Sequence, residues 1–396
     1  MKKKDMDVVE TLRMSVDIPK VVQEKADEAF EKIRQAGFEK ENNKNKLTKH
    51  SQRQKRFSVR KAAVIIAAAT LVLGSISAAA AYFYWSRSLP DKLQITEELK
   101  TQLEEEHAVA FAMQECTVSG VKVTAVQSIT DRYFTHIVFK VEGYQLDEGV
   151  EPGFADIGIT VGGKTDFNMV AGFYNGIIMG ADGKAAYADG TLFDGSAENR
   201  ERYLQEDGSL EYNVTLSSDK QGYFLNQPIH VELRNLGITA RAECTAEVEG
   251  VWSFDWNLQG TKEQKEFMPQ KELGDTKATV VKVEISSISF RVEYNLPRKR
   301  ITETGLDENG NAILSDSYTE PPMLTGIKMK DGSLYTYLNN GGSFGYAADD
   351  SDLYVATFAM SRIIDVGQID SLLFEKSYPK EGEVLTEDNF YVVAVE

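Results

Sequence analysis

Residues Ala62 to Trp85 carry no charged side chain across 24 consecutive positions. At about 1.5 Å per helical residue the run is about 36 Å long, enough to cross a hydrocarbon layer about 30 Å thick with some tilt. A chain holding such a run is expected to fold in two separate pieces, one on each side of a bilayer. The pieces differ in charge: residues 1–61 hold 17 Lys and Arg against 10 Asp and Glu, a net of +7, while residues 62–396 hold 27 against 51, a net of −24. Lys44, Lys46, Lys49, Arg53, Lys55, Arg56, Arg60 and Lys61 precede the run with no acid among them. Positive charge resists translocation and sits opposite anionic inner-leaflet lipid. The expected topology is a single-pass protein of the cell membrane, with its N-terminus cytoplasmic and its C-terminus extracellular. Tyr82, Phe83, Tyr84 and Trp85 close the run, where amphipathic rings favour the headgroup level.

Two other readings of the run are weaker. Ala78-Ala79-Ala80 fits a small-x-small cleavage site, but a signal peptide begins near the N-terminus and some sixty residues precede this run. A buried core helix is shorter and less uniformly apolar. Gly74 and Ala78 form a small-x-x-x-small pair that can bring two membrane helices together as a homodimer.

The cytoplasmic piece reads as helix over residues 1–37, followed by a polar, basic linker over 38–61. Asp17 can cap a helix that takes Pro19 in its first turn, and Gly37 supplies a stop. Val22, Ala26, Ala29, Phe30 and Ile33 then form an apolar stripe at helical spacing. Helices this short cannot bury enough surface to be stable alone. The stripe therefore rests on the membrane or folds against a cytoplasmic partner. Beyond the span, residues 86–106 are expected to form a short link and a helix capped by Thr96, with Glu97 and Glu98 at its positive end, either a stalk helix or one packed on the first β domain.

From about Ala108 the pattern changes to strands. Val121, Val123 and Ala125 alternate with polar residues, and Tyr133, Thr135, Ile137, Phe139 and Val141 share one parity with His136 and Lys140 on the other. Trp252, Phe254, Trp256 and Leu258 repeat the signal. Asp189-Gly190, Asp207-Gly208 and Asp331-Gly332 are hairpin-type pairs. The expected fold is mainly β, with two antiparallel β-sandwich ectodomains over 107–262 and 270–396. Parity shifts across Ser286-Ser287, which predicts a bulge or tight turn there. Cys116 and Cys244 both fall outside. Their sequence leaves open a bridge, which would stabilise by about 4–5 kcal/mol in the chain-entropy model, or two unrelated thiols.

Gly120 to Gly143 (GVKVTAVQSITDRYFTHIVFKVEG), Gly250 to Leu258 (GVWSFDWNL) and Thr279 to Tyr294 carry a family resemblance. They resemble the first ectodomain hairpin, the end strand and the opening of an immunoglobulin-like domain in an uncharacterised family of single-span envelope proteins of clostridia-like Gram-positive bacteria. With the span, the resemblance covers most of residues 60–396. It implies an anti-sigma factor, because many members are encoded beside extracytoplasmic-function sigma factors. The cytoplasmic helices would then hold a sigma factor, and the outer domains would respond to an envelope signal or ligand whose nature is unknown. The zinc-binding anti-sigma type is excluded, since the cytoplasmic piece has only His50 and no cysteine.

No catalytic constellation emerges, and no enzymatic activity is expected. His50, His107, His136 and His230 are scattered, with no pair at metal-ligand spacing, and no nucleophile elbow or phosphate-cradling loop is present. No cofactor or metal is expected. Asp307-Glu-Asn-Gly-Asn311 departs from a calcium loop, with Gly310 at the fourth position and Tyr318 where the closing acid belongs, so it reads as a polar loop tip. The Trp252/Phe254/Trp256 column has the spacing of a carbohydrate platform, yet one face of a sandwich core needs the same spacing and is the stronger reading. The basic juxtamembrane cluster is explained by topology, so no nucleic-acid partner is expected. The alternative to a signalling role is a surface-displayed adhesion or wall-associated module whose tail serves topology only.

Overall fold

The computed structural model describes residues 85–395 except 148, 181–182, 196–201, 241–242, 307–311 and 379–382. The run before Trp85 lies outside the described residues, as do the 1–37 helices and the Asp307–Asn311 tip. Among the described residues no helix is long and apolar enough to cross a membrane. The described fold is mainly β, and its strand pairs are antiparallel.

Two short helices come first, α1 (Ser88–Leu93) and α2 (Glu97–Glu105). The link expected before Thr96 is thus itself helical over α1. Gln94 takes a left-handed conformation (φ 49°, ψ 47°) that ends α1. Thr96 then opens α2, its hydroxyl accepting from the Leu99 amide. Neither helix stands free, because Leu89, Leu93 and Leu103 are buried.

The first β unit holds β1 (Val109–Val118), β2 (Val121–Thr130), β3 (Phe134–Glu142), β4 (Glu151–Val161) and β5 (Asn168–Phe173). It continues with β6 (Ile177–Met179), β7 (Ala185–Tyr187), β8 (Leu210–Ser217), β9 (Pro228–Ala240) and β10 (Glu243–Asn257). One sheet runs β1-β2-β3-β8-β5 and the other β10-β9-β4, while β6 and β7 form a small ribbon. Val123, Phe139 and Val214 from the first sheet share a core with Val231, Leu233, Trp252 and Phe254 from the second. Trp252 is fully buried and its indole N–H donates to the Val121 carbonyl at 3.1 Å, so the Trp252/Phe254 column is core. A register shift between Ala125 and Gln127 turns Ile129 to the opposite face of β2.

The second unit comprises β11 (Lys265–Phe267), β12 (Lys271–Glu272), β13 (Thr279–Ile285), β14 (Ser289–Asn295), β15 (Arg300–Leu306) and β16 (Ala312–Tyr318). There follow β17 (Leu324–Met329), β18 (Leu334–Tyr335), β19 (Asn339–Tyr346), β20 (Leu353–Met360), β21 (Ile369–Glu375) and β22 (Phe390–Ala394). The sheet β11-β13-β14-β20-β19 and the sheet β18-β17-β21-β22 enclose Val283, Phe290, Tyr294, Ile327, Leu372 and Phe374. Ser286-Ser287 is a tight turn between β13 and β14, closed by the Ser286 amide on the Ser289 carbonyl at 2.9 Å. The β17–β18 hairpin turns at Asp331-Gly332, where φ of +88° at Gly332 suits a residue without Cβ.

A third core joins the units. Leu89, Leu93 and Leu103 of the helices meet Ile129, Phe134 and Val138 of the first unit and Ile288, Ala359 and Ile363 of the second. Each fully buried aliphatic of this kind contributes about 1.5–3 kcal/mol. At the centre Asp131, only 1% exposed, receives four hydrogen bonds. Its Oδ1 accepts from the Tyr133 and Phe134 amides at 2.9 and 2.8 Å. Its Oδ2 accepts from the Ser286 and Ser289 hydroxyls at 2.6 and 2.5 Å. Tyr133 completes the joint by donating to Glu284 at 2.6 Å.

Candidate functional site

The chain enters the described fold at the last residue of its hydrophobic run, and it is held there at once. Trp85 donates through its indole N–H to Glu104 at 2.8 Å and meets the Phe111 ring edge-on at 6.1 Å. It is therefore tied to α2 and β1. The next residues sit on a polar seat on the outer face of the first sheet. The Ser86 amide donates to Gln127 Oε1 at 2.8 Å. The Arg87 and Ser88 amides donate to the two carboxylate oxygens of Glu211 at 2.9 and 2.6 Å. The Ser88 hydroxyl donates to Asn213 Oδ1 at 2.9 Å. The arrangement follows from helix chemistry, since the first amides of α1 have no partner within the helix and point positive charge at the carboxylate.

Glu211, Asn213 and Thr215 alternate along one face of β8, beside His136 on β3 and Gln127 on β2. His136 lies on the polar parity of its strand, yet it is 4% exposed, because α1 and α2 cover that face. Its Nδ1 lies 3.0 Å from the Thr215 hydroxyl. Burial holds its imidazole down at about 3, and the Lys92 charge acts in the same direction. Gln127 Nε2, His136 Nε2 and Asn213 Nδ2 have no hydrogen-bond partner among the described residues. A buried polar group left unpaired costs about 1–3 kcal/mol, so the seat is held firmly by some atoms and opposed by others.

A cleft of about 230 Å³ opens beside α1, lined by Arg87, Asp91, Tyr174, Tyr187, Asp189 and Arg202. The Arg202 guanidinium lies 3.7 Å from the Tyr187 ring centroid and 3.3 Å from Asp189. Arg87 pairs with Asp91 at 3.6 Å, and Tyr174 donates to the same carboxylate at 3.3 Å. Burial pushes the Asp91 carboxyl above its usual range, with Arg87 pulling it back. With Glu206, two guanidinium and three carboxylate groups line one opening, a polar surface that includes Arg87 and Asp91 at the helix following the hydrophobic run.

The proposed partner-binding stripe Val22, Ala26, Ala29, Phe30 and Ile33 lies outside the described residues, as does the Gly74/Ala78 pair. Cys116 on β1 and Cys244 on β10 are both free thiols, so no bridge joins them. The Cys244 thiol donates to the Gly153 carbonyl at 3.3 Å, and burial raises its pKa. Among the described residues no group of three or more His, Cys, Asp or Glu is placed to hold a metal ion. The seat was not legible in the sequence, because Glu211 lies 123 positions from Ser88 and looks like any strand carboxylate.

No protein-family model matches the chain, and no curated protein matches its sequence. A solved structure described as the conserved domain protein from Bacillus anthracis aligns at 15% identity, over 73% of this chain and 87% of that one, with a TM-score of 0.35. So distant a likeness carries no argument for fold or role.

Proposed function

We propose that the chain is a single-pass membrane signalling protein of the anti-sigma type. In this reading Ala62–Trp85 spans the bilayer and the two β units are immunoglobulin-like sandwiches outside the cell. The Val22/Ala26/Ala29/Phe30/Ile33 stripe binds a cytoplasmic sigma factor. The observation that carries the reading is the seat itself: no spacer separates the hydrophobic run from buried hydrogen bonds on Glu211 and Gln127. An adhesive module needs only a tether, and a flexible linker serves that purpose. A relay needs a mechanical connection, so that a change in the outer units reaches the span. The opposed energies of the seat, two amides on a buried carboxylate against three unpaired polar atoms, suit an element with a docked and a released state. A ligand in the adjoining cleft would bias that equilibrium through Arg87 and Asp91.

The test is co-purification of the full chain with a sigma factor encoded beside it. The expected result is a complex that Phe30→Asp disrupts, since a buried carboxylate in an apolar groove is costly. Capture of no sigma factor, together with unchanged behaviour when residues 1–40 are replaced by an unrelated polar segment, would leave only the tethered-module reading.

A further inference from the structure

The second β unit carries an open cleft with an aromatic wall. β19 is the edge strand of its sheet, and Phe344 on it is 53% exposed. Its ring lies nearly parallel to Tyr354 (22°, 6.5 Å) and to Phe358 (26°, 5.9 Å), so the core of the sheet continues outward as a flat aromatic row. Tyr318, 41% exposed, stands across an open cleft of about 530 Å³. The Arg298 guanidinium fixes it in place, 3.9 Å from its ring centroid and 5.4 Å from that of Tyr346. Arg298 is in turn paired with Asp349 at 3.1 Å, and Tyr346 donates to the Thr319 carbonyl at 2.9 Å. Glu320 and Asp349 complete a polar rim.

We propose that this cleft binds the pyranose rings of an oligosaccharide that lacks acidic groups. A pyranose has one face of C–H bonds and an edge of hydroxyls. The C–H face is attracted by the negative face of an aromatic ring, and carboxylates at the rim accept from the hydroxyls. Phe344 and Tyr318 supply the rings, already held by their neighbours, so little side-chain entropy is lost on binding. The charge of the rim selects the class. Arg298 balances Asp349, which leaves Glu320 as the unbalanced charge of the rim, and within a piece of net charge −24 it disfavours carboxylated or phosphorylated polymers. A peptide strand added to the edge is disfavoured by the register shift between Asn339 and Gly342 and by φ of +79° at Gly341, which break the row of backbone groups it would need. The proposal goes beyond the relay reading and does not depend on it, because a chain that binds no sigma factor still presents this cleft.

The experiment titrates the full chain, kept in mild detergent, with chitohexaose and cellohexaose as uncharged probes and hexagalacturonate as the acidic control, followed by calorimetry. At least one uncharged probe should bind and the acidic one should not. Phe344→Ala and Tyr318→Ala should each weaken binding about ten-fold. Both positions are about half exposed, so each variant should still unfold in one cooperative thermal transition, and Phe344→Tyr should retain binding. Absence of binding by both uncharged probes would overturn the proposal. So would binding indifferent to the two alanine variants, tighter binding of hexagalacturonate, or self-association of the chain abolished by Phe344→Ala.

Discussion

Removing the Glu211 carboxylate should release residues 86–93 from the first sheet while the β cores stay closed. Glu211 is 5% exposed and accepts the Arg87 and Ser88 amides at 2.9 and 2.6 Å. A hydrogen bond to a charged group is worth about 1.5–3 kcal/mol net, so two such bonds set a loss of about 3 kcal/mol in Glu211→Ala, before any relaxation. Every 1.4 kcal/mol is a factor of ten, so the local opening equilibrium should rise about a hundred-fold. Hydrogen exchange resolved by residue is the appropriate assay. The amides of Arg87 through Leu93, apart from Pro90 which has none, should lose protection by about two orders of magnitude, whereas core amides such as Val123, Phe139 and Val214 should change far less. Glu211→Gln should fall between, because one oxygen can still accept while the amide nitrogen faces the other donor. If the 87–93 amides keep their wild-type exchange rates, the carboxylate does not hold the segment. If they and the core amides accelerate by one common factor, the segment opens only with the whole unit, and it cannot act as a separate relay element.

Acid should weaken the fold through His136, whose imidazole is held at about 3 against 6.5 when free. Between those values the unfolded chain binds a proton that the folded chain does not, so this contribution is full above pH 6.5 and declines as pH falls toward 3. The slope is up to about 1.4 kcal/mol per pH unit. His136→Gln should flatten the urea-midpoint profile in that window, and an unchanged profile would refute the assignment. Asp131→Ala should remove four bonds, two of which, from the Ser286 and Ser289 hydroxyls, cross between the β units, with a loss of about 3 kcal/mol or more. Scanning calorimetry is expected to separate one transition into two, and a single transition at the wild-type midpoint would show that the apolar contacts alone couple the units.

Much of the local structure was legible because it is local. Thr96 as a helix cap, the hairpin at Asp331-Gly332 and the turn at Ser286-Ser287 each depend on a few neighbouring residues, and each is found where the sequence places it. The Trp252/Phe254 column reads as one face of a core for the same reason, since period-two alternation reports which side chains share a face. The further helix Ser88–Leu93, in what reads as a short link, has a long-range reason. Leu89, Leu93 and Leu103 found a sheet and a second β unit to cover them, and a break at Gln94 lets both helices pack.

What the sequence by itself determined is therefore the kind of structure and the charge division: a mainly β fold in the described residues, and a strongly acidic 62–396 behind a basic N-terminal piece. Only the tertiary structure decided which faces are covered. His136, on the polar parity of β3, is buried because two helices lie over it, while Phe344, on the apolar parity of its sheet, is open because no layer reaches the edge. Alternation is the same in both cases. Covering depends on partners distant in the chain, from helices that end some thirty positions before His136 to Glu211, 123 from Ser88, and Asp131, 155 from Ser286, and no local pattern encodes such distances.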